Sequence, residues 1–306
     1  MKITVIGAGN VGSLAAMRIA ADGLGDVLLI DVVKGLALGK ALDLEDARPF
    51  LKNNYSIKGS DDIAELKDSE IVVVTAGLAR KPGMTREELL IKNAQILKDV
   101  TVKIKELSPE ALVIIVTNPL DIMTYYALKI TGFKPGKLFG MGISLDTARF
   151  VNLISQELHL PFTDIEALVV GVHGEGMLPL SRLVKVKGVS LDEFISDDKI
   201  KSLISRTINR GAQIVANLGC GSASFAPSAA IASIVKTIVK DEKRTMGLCS
   251  YLNGQYGIKD SCIGVPCRLG RNGIEQIVEL ELSKDELVQL VKSATAVAQA
   301  AAGLLA

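Results

Sequence analysis

The chain has 306 residues, enough for a large hydrophobic core and for two domains or lobes. Its 35 lysine and arginine residues nearly balance 34 aspartate and glutamate residues, and a net charge of +1 gives no sign of a nucleic-acid or membrane surface. Hydrophobic residues make up 48% of the chain and aromatic residues only 4%, so the core must consist of Ala, Val, Ile and Leu, as is usual where helices pack on a parallel sheet.

The first residues run from Met1 and Lys2 directly into an apolar strand, without the features of a signal peptide, and no apolar run approaches the roughly 20 residues of a membrane span. These features predict a soluble, cytoplasmic protein that binds neither membrane nor nucleic acid. The four cysteines show no C-x-x-C spacing and two histidines are too few for most zinc sites, so no metal is predicted. Buried, reduced thiols are favoured, with a redox pair of Cys262 and Cys267 as the alternative.

The predicted elements begin with a strand over residues 2–6, a glycine-rich turn and a helix over residues 13–21. In that order the glycines have separate roles: Gly7 makes the tight turn, Gly9 lets the main chain approach a pyrophosphate, and Gly12 permits close helix packing. The N–H groups and the dipole at the helix N-terminus favour the phosphates. The pattern therefore predicts a dinucleotide-binding loop of Gly7, Ala8, Gly9, Asn10, Val11 and Gly12.

A second strand is predicted over residues 26–30 and ends at Asp31, about 20 residues beyond the glycines, as the dinucleotide fingerprint requires. A carboxylate at this position accepts hydrogen bonds from the adenosine ribose and repels the 2′-phosphate of NADP, so NAD is the predicted cofactor. Lys34 lies close by in the sequence and keeps NADP as an alternative. The other interpretation of Asp31 is a residue that only ends the strand and starts a turn.

Strands and helices continue to alternate through the first half of the chain. Strands are predicted over residues 55–58, 71–74, 112–116 and 137–140, and helices over residues 35–47, over residues 87–107 and from residue 121. Six strands alternating with helices indicate an α/β fold with a Rossmann doubly wound parallel sheet. Ligands bind at the carboxyl ends of such strands, so one crevice is expected to contain Gly7, Asp31, Gly77 and Asn118.

The segment over residues 78–86 follows the fourth strand and carries three cations, Arg80, Lys81 and Arg86, around a Pro-Gly pair. A polar loop at a ligand crevice can close over the ligand as a lid. The alternative is a solvated surface turn.

A helix is predicted from about Ser144 to His159, with Asp146 and Arg149 on one face because they are three residues apart. A carboxylate can fix the tautomer of a histidine, and an arginine offers a planar fork that grips a carboxylate. The alternative is an ordinary ion pair within the helix, which contributes little to stability. His159 lies at the end of the helix, where a cation suits the dipole, and is interpreted as structural.

His173 follows an apolar run over residues 165–172 that predicts a buried strand, and glycines on both sides would let a ligand approach. The ordinary pKa of histidine, about 6.5, suits a group that gives and takes protons near neutral pH. His173 is therefore the candidate proton donor and acceptor. A lone histidine among glycines can also be simply a turn residue.

Beyond His173 the pattern becomes antiparallel and mixed. A strand is predicted over residues 182–186, helices over residues 197–216 and 227–240, and a hairpin of residues 261–268 and 274–280, with a capping box at residues 283–286 before the last helix. The prediction is an NAD-binding Rossmann domain over residues 1–143, followed by a mixed α+β catalytic domain that binds the substrate, over residues 144–306.

In sequence order, these motifs resemble the lactate and malate dehydrogenase family, and within it the malate dehydrogenases of lactate-dehydrogenase-like type. The resemblance extends through nearly the whole chain. It rests on Gly7-Ala8-Gly9-Asn10-Val11-Gly12, Thr75-Ala76-Gly77, Arg80-Lys81-Pro82-Gly83-Met84, Thr117-Asn118-Pro119, Leu145-Asp146-Thr147-Ala148-Arg149, Gly171-Val172-His173-Gly174, and Tyr256-Gly257 ahead of Gly264-Val265-Pro266.

The resemblance implies a reversible, NAD-dependent oxidation of (S)-malate to oxaloacetate. It implies that His173 is the general acid and base, that Asp146 orients it, and that Arg149 holds the C1 carboxylate of the substrate. Arg86 would polarise the reacting carbonyl group. Arg80 would pair with the second carboxylate of a small dicarboxylate substrate, and an unpaired buried Arg80 would disfavour pyruvate by several kcal/mol.

The resemblance also implies cofactor contacts at Asn93, Val116, Thr117 and Asn118, with Asn118 near both the nicotinamide and the substrate carbonyl. It implies a homodimer or homotetramer. The alternative activity is that of a lactate or other 2-hydroxyacid dehydrogenase, and the alternative of another class is a non-catalytic NAD-binding module or redox sensor. Two departures from the family pattern, Cys267 and Ser222-Ala223, leave thiol sensitivity and the fine tuning of substrate choice open.

Overall fold

The computed structural model describes residues 1–78 and 84–305. Six parallel strands form its first half: β1 (Lys2–Ile6), β2 (Asp26–Ile30), β3 (Ile57–Ser60), β4 (Ile71–Val74), β5 (Leu112–Ile115) and β6 (Leu138–Gly140). Their order across the sheet is β3-β2-β1-β4-β5-β6, and every neighbouring pair is parallel. The chain therefore winds outward from β1 in both directions, which confirms the predicted doubly wound sheet.

The connecting helices of this half are α1 (Asn10–Ala21), α2 (Leu36–Asp46), α3 (Arg48–Leu51), α4 (Arg86–Leu107), α5 (Leu120–Thr131) and α6 (Ile143–Leu158). Helix α4 begins at a reciprocal capping box. The Glu88 N–H donates to Thr85 Oγ1 at 3.0 Å, and the Thr85 N–H donates to the Glu88 carboxylate at 2.9 Å. Two local hydrogen bonds thus fix where the chain resumes helical structure after β4.

The third strand lies two residues later than predicted, because Tyr55 packs beside α2 and its hydroxyl donates to the Leu44 carbonyl instead of entering the sheet. The pairing of β3 with β2 then includes Gly59. A Cβ atom at Gly59 would lie 2.2 Å from the Ala37 carbonyl oxygen, so the glycine allows α2 to pack directly on the strand.

The second half contributes β7 (Ile165–Glu166), β8 (Val169–Gly171), β9 (Met177–Pro179), β10 (Lys185–Val186), β11 (Val189–Ser190), β12 (Arg244–Asn253), β13 (Lys259–Gly270) and β14 (Gly273–Ile277). Its long helices are α7 (Asp197–Leu218), α8 (Phe225–Val239) and α9 (Lys284–Leu305). Strand β12 pairs antiparallel with β6 at Cys249 and Gly140, and the order continues β12-β13-β8-β9, with β14 beside β13. One sheet therefore runs from the first half into the second.

Two strand predictions in this half were wrong. The apolar run over residues 165–172 forms two short strands, β7 and β8, which belong to different sheets. The segment over residues 182–186 begins in a 3-10 helix, Ser181–Leu183, and only Lys185–Val186 is strand. Strand β12, the antiparallel partner of β13, was missed because its alternation of apolar and polar residues is weak. The hairpin of β13 and β14 and the capping box at Ser283 and Glu286 are confirmed.

The C-terminal helix corrects the expectation that no apolar segment reaches the length of a membrane span. Within the described residues, α9 is long and apolar enough to pass that test by length and composition alone. Its buried residues are Leu290, Ala294, Val297 and Ala301, which recur every three or four positions and so form one face against the core. A helix that packs on a core passes the same test, so this property is weak evidence for a membrane.

The four cysteines are free thiols, and three of them are buried: Cys249, Cys262 and Cys267. Cys262 and Cys267 lie five residues apart on β13, so their side chains leave opposite faces of the sheet. Disulfide geometry is therefore out of reach for this pair, and the alternative of a redox pair is wrong.

Candidate active site

The glycine-rich turn joins the end of β1 to the start of α1. Gly7 has φ +106°, a conformation that favours glycine, and a Cβ at Gly12 would lie 1.8 Å from the Gly7 carbonyl oxygen. A Cβ at Gly9, in contrast, would meet no described atom within 4 Å and would project into open space at the helix N-terminus. Asn10, Val11 and Gly12 are the first residues of α1, so their N–H groups have no acceptor within the helix.

The carbonyl groups of this turn accept hydrogen bonds from side chains. Thr75 Oγ1 donates to the Gly7 carbonyl at 3.0 Å, and Ser13 Oγ lies within hydrogen-bond distance of the carbonyls of Ala8 and Gly9. The ammonium group of Lys40 donates to the Ala8 carbonyl at 2.6 Å and to Ser13 Oγ at 2.9 Å. Because its carbonyl oxygens are already hydrogen-bonded, the groups that the turn has left for a ligand are N–H groups and a positive helix terminus. Both suit a pyrophosphate.

Asp31 lies at the end of β2, beside the turn. Its two carboxylate oxygens accept hydrogen bonds from the Ala8 N–H at 2.7 Å and the Val33 N–H at 2.9 Å. A carboxylate has about four acceptor positions, so each oxygen can still accept from a ribose hydroxyl. The interpretation of Asp31 as a turn residue and its interpretation as a ribose ligand are therefore compatible. The glycine turn and Asp31 together fit a dinucleotide.

The loops after β4 and β5 form the next part of the crevice, and Asn93 joins them. The buried Asn93 amide accepts from the Leu78 N–H at 2.7 Å and donates to the Asn118 carbonyl at 2.8 Å. Thr117 is buried and donates to the Ala76 carbonyl at 2.6 Å, while the N–H of Val116 donates to the Val74 carbonyl. Asn118 itself is exposed. Asn93 and Thr117 thus join the two loops, and the side chain of Asn118 at their end is exposed.

Asp146, Arg149 and His173 form a compact cluster. His173 Nδ1 lies 2.6 Å from one oxygen of Asp146, and Arg149 donates to the other oxygen at 3.0 Å. Asp146 is fully buried, whereas the side chains of His173 and Arg149 are 16% and 11% exposed. Arg149 Nε is buried without a hydrogen-bond partner among the described residues. The remaining exposure of the Arg149 side chain leaves part of it open to a ligand, and a guanidinium can bind a substrate carboxylate.

Several elements place this cluster. Asp146 lies in the first turn of α6, which follows β6 through Gly142, and His173 follows β8 directly. Gly171 has φ +95° and lies against the Gly176 carbonyl, so the chain turns sharply just before His173. Because Asp146 holds Nδ1, the other ring nitrogen, Nε2, is available for proton transfer. The sequence prediction that Asp146 and His173 meet thus agrees with their placement.

The pKa of His173 is raised above its ordinary value. Burial by itself lowers this pKa, but the negative charges of Asp146 and then Asp121 outweigh the effect of burial, while Arg149 opposes them. The result favours the imidazolium form near neutral pH. His173 therefore has the protonation behaviour of a proton donor to a developing oxyanion.

Two arginines with implied roles are not described in full. Arg80 lies outside the described residues, and Arg86 is described only as the first residue of α4. The predicted lid over residues 78–86 likewise lies partly outside them, because residues 79–83 are not described. His159 caps the end of α6 in a left-handed conformation, at the position expected of a structural residue. Within residues 1–78 and 84–305, no group of three or more His, Cys, Asp and Glu residues is arranged to hold a metal ion.

Two residues at the site, Lys40 and Asp121, were not predicted from the sequence. Lys40 lies in the polar stretch of α2, and its spacing from the glycine turn gives no indication of contact. Asp121 lies three residues after Asn118. Its carboxylate accepts a hydrogen bond from the main-chain N–H of His173, which lies 52 positions later in the sequence. The sequence did contain one indication of Asp121, a charged residue inside the otherwise apolar start of α5. Since an unpaired buried carboxylate destabilises a fold, such a residue is expected to have a partner.

Two family models together match almost the whole chain. The first, described as lactate/malate dehydrogenase, NAD binding domain, matches residues 1–140. The second, described as lactate/malate dehydrogenase, alpha/beta C-terminal domain, matches residues 143–302.

Individual relatives agree with the family models. A malate dehydrogenase of Chlorobium luteolum is 46% identical over 300 residues, which are 98% of this chain and 97% of the relative. The crystal structure of Cryptosporidium parvum malate dehydrogenase has a TM-score of 0.96 at 38% identity and covers 99% of this chain and 98% of its own. A lactate dehydrogenase from Cryptosporidium parvum, solved with lactic acid and NAD, has a TM-score of 0.95 at 35% identity, over 99% of this chain and 97% of its own.

Proposed function

The chain belongs to the lactate/malate dehydrogenase family, and from that premise we propose that it is an NAD-dependent oxidoreductase that interconverts (S)-malate and oxaloacetate. The observation that carries the proposal is the cluster in which one buried carboxylate, Asp146, holds both His173 and Arg149. Such a cluster places a proton donor beside a cation that can bind a carboxylate, and these are the two groups that reduction of a 2-oxo acid needs.

The residues divide the reaction between them. NADH, when bound, would supply the hydride for C2 of oxaloacetate, and negative charge would develop on the C2 carbonyl oxygen. His173 gives its Nε2 proton to that oxygen, so malate leaves as the alcohol. Asp146 stabilises the imidazolium before the transfer and orients the ring during it. In malate oxidation the hydroxyl proton of malate would pass to Nε2 of neutral His173, and the hydride of C2 would pass to NAD⁺ as the oxidant.

Arg149 holds the C1 carboxylate of the substrate, and this role is supported by its 11% exposure and by its sharing of Asp146 with His173. Arg86 stabilises the charge on the carbonyl oxygen when residues 78–86 close as a lid, and exclusion of water strengthens the interaction. Asn118 orients the carbonyl and the nicotinamide. These roles rest on the resemblance of the residues to the family pattern and on the positions of Arg149 and Asn118 in the crevice.

The cofactor contacts follow the same division. The glycine turn and the start of α1 bind the pyrophosphate, and Asp31 binds the adenosine ribose and disfavours NADP. The Asn93 amide and the main chain of Val116 and Thr117 line the nicotinamide end. Residues 1–143 act as the NAD-binding domain and residues 144–306 as the catalytic domain, a division close to the two ranges matched by the family models.

The choice of malate over lactate is assigned to Arg80. Once water is excluded, the second carboxylate of malate or oxaloacetate needs a cation, whereas pyruvate would leave the arginine unpaired. The family includes lactate dehydrogenases of the same fold, so a lactate or other 2-hydroxyacid dehydrogenase is the second candidate. We further propose a cytoplasmic homodimer or homotetramer that acts in the tricarboxylic acid cycle and binds no membrane or nucleic acid.

The deciding experiment measures the loss of NADH absorbance with oxaloacetate and, separately, with pyruvate, and repeats both with NADPH. We expect a large preference for oxaloacetate and for NADH. Faster turnover of pyruvate would assign the protein to the lactate branch. Turnover of neither substrate would support the alternative of an NAD-binding sensor.

The role of Arg80 is tested by Arg80→Gln. We expect most of the activity on oxaloacetate to be lost, with kcat/KM lower by at least about 100-fold because a buried charge loses its partner, while some activity on pyruvate remains. Steady-state kinetics with both substrates measure the change, with Lys98→Met on the exposed face of α4 as a control for loss of one surface cation. Unchanged kinetics with both substrates would remove Arg80 from substrate recognition.

A further inference from the structure

A second buried carboxylate approaches His173 from a direction that the proposed mechanism does not use. Asp121 is the second residue of α5 and is 1% exposed. One of its oxygens accepts a hydrogen bond from the main-chain N–H of His173 at 2.7 Å. The contact joins α5 to the turn after β8, two elements that are distant in sequence.

The other oxygen of Asp121 has no nitrogen or oxygen donor among the described residues, and the group that can donate to this carboxylate is the Cys249 thiol, a weak donor. A buried carboxylate with a free oxygen destabilises a fold unless a nearby positive charge or dipole compensates. Two such compensations are present. Asp121 lies in the first turn of α5, where the helix dipole favours an anion, and the imidazole of His173 becomes positive when it is protonated.

The same residue links two parts of the crevice. Helix α5 begins directly after Asn118 and Pro119, so the segment that carries Asn118 is continuous with the helix that holds Asp121. The hydrogen bond from His173 to Asp121 therefore fixes the acid–base group relative to the loop after β5. The position of the Nε2 proton relative to that loop depends on this contact.

We propose that Asp121 is a positioning residue for the proton transfer, and that its carboxylate acts with Asp146 to hold His173 in the protonated form before reduction. The proposal rests on the acid–base role of His173 given above and extends it to a second charge. Asp146 acts on the ring through Nδ1, whereas Asp121 holds the main chain of the same residue.

The described charges around His173 agree with this assignment. Burial lowers the pKa of His173, and the charge of Arg149 on α6 lowers it further. The charges of Asp146 on α6 and Asp121 on α5 raise it, and their combined effect is the larger. Burial raises the pKa of Asp121. Hydrogen bonds from the His173 N–H and from the Cys249 thiol on β12 act in the opposite direction and favour the ionised carboxylate. One imidazolium and one guanidinium thus face two carboxylates, so the protonated cluster is electrically neutral.

The chain offers a direct test because it contains only two histidines, His159 and His173. The imidazole signals of the whole protein can be followed by ¹H–¹⁵N NMR as a function of pH, without turnover. In Asp121→Asn, the amide oxygen can still accept from the His173 N–H but the charge is gone. We expect the titration midpoint of His173 to fall and that of the exposed His159 to stay in place.

The matched control is Asp198→Asn, which removes a carboxylate that is 94% exposed on α7 and changes the net charge by the same amount. It should leave both midpoints unchanged. Equal midpoints for His173 in Asp121→Asn and in the native chain would overturn the charge role. If Asp121→Asn does not fold, as judged by circular dichroism, Asp121→Ser keeps a neutral acceptor in a smaller volume and carries the same expectation.

Kinetics provide the second measurement. For Asp121→Asn we expect kcat for oxaloacetate reduction to fall about threefold to thirtyfold, the high-pH limit of the reduction to move to lower pH, and KM for NADH to change less than about twofold. A rise in KM for NADH with no change in kcat would overturn the positioning role. Failure of the native chain to reduce oxaloacetate would contradict the proposed function, whereas the NMR result would still report on the effect of Asp121.

Discussion

The glycine turn and the acid–base cluster of Asp146, Arg149 and His173 consist of different groups. The turn presents main-chain N–H groups, and its carbonyls are held by Thr75, Ser13 and Lys40. The cluster consists of charged side chains, with Asp146 fully buried between His173 and Arg149. The first site is mostly contiguous in sequence, whereas the second joins residues 27 positions apart.

This difference determines how each site can fail. A main-chain site depends on the absence of side-chain atoms, so an added methyl group can disrupt it without any change of charge. The protonation of a cluster of buried charges depends on the balance of its positive and negative groups. Removal of one charge without a change of shape therefore affects the other groups. Steric substitutions in the glycine turn should therefore act on cofactor binding, and isosteric charge substitutions in the cluster should act on proton transfer.

The largest effect is expected from Asp146→Asn, which keeps the shape of the side chain and removes its charge. Loss of this charge lowers the pKa of His173, because Asp146 is the first cause that raises it against burial. Reduction needs the protonated ring, so the high-pH limit of oxaloacetate reduction should move to lower pH and kcat should fall by about 10²–10⁴-fold. Malate oxidation needs the neutral ring, so its low-pH limit should move in the same direction.

The measurement is a pH profile of kcat and kcat/KM in both directions, with Asp164→Asn as the control. Asp164 forms a partly exposed ion pair with Lys187. Asp146→Asn with an unshifted pH profile would contradict the proposed electrostatic role. A similar loss in the control would indicate a general effect of removing a carboxylate.

A steric test on the cofactor side compares Gly12→Ala with Gly9→Ala. A Cβ at Gly12 would lie 1.8 Å from the Gly7 carbonyl, so the turn must shift, and we expect a loss of about 1–3 kcal/mol of folding free energy with loss of NADH binding. At Gly9 the backbone has an ordinary φ of −69°, and the methyl group would enter open space. Stability should then be unchanged while NADH affinity falls at least about tenfold.

Chemical denaturation and NADH fluorescence titration measure these two quantities separately. Normal NADH affinity in Gly9→Ala would show that the pyrophosphate does not approach this position. Equal loss of stability in both variants would mean that the space in front of Gly9 is part of the packed structure.

The smallest effect is expected from Lys40→Met, which removes a charge from the main-chain site. Lys40 is only partly buried, so the loss of its hydrogen bonds to the Ala8 carbonyl and Ser13 should weaken NADH binding by about twofold to tenfold. The measurement is the same fluorescence titration, with exposed Lys98→Met as the control. A change in the pH profile of catalysis instead of NADH affinity would contradict the separation of the two sites.

Much of the cofactor site could be predicted from the sequence because its geometry is local. The roles of Gly7 and Gly12 follow from the strand, turn and helix around them, and the positions of β1, β2 and β4 agree with the predicted bounds. Asp31 was identified by its spacing from the glycines. Lys40 was missed, because its contact with Ala8 depends on how α2 packs against the turn.

The acid–base cluster was predicted only in its residue types. The sequence indicated His173, Asp146 and Arg149, with intrahelical pairing of the last two as an alternative. In the structure Asp146 makes both contacts at once. Asp121 was not identified, since no local pattern connects the start of α5 with a turn 52 residues later.

By itself the sequence determined the alternation of strands and helices in the first half and the glycine turn, and it indicated His173 as the candidate proton donor, because each depends on neighbours within a few residues. Only the tertiary structure decided that β12 extends the sheet from β6, that Cys262 and Cys267 face apart, and that two carboxylates meet at His173. The physical reason is that these contacts are set by packing between distant elements, and the periodicity of a sequence specifies which face is buried but not what it is buried against.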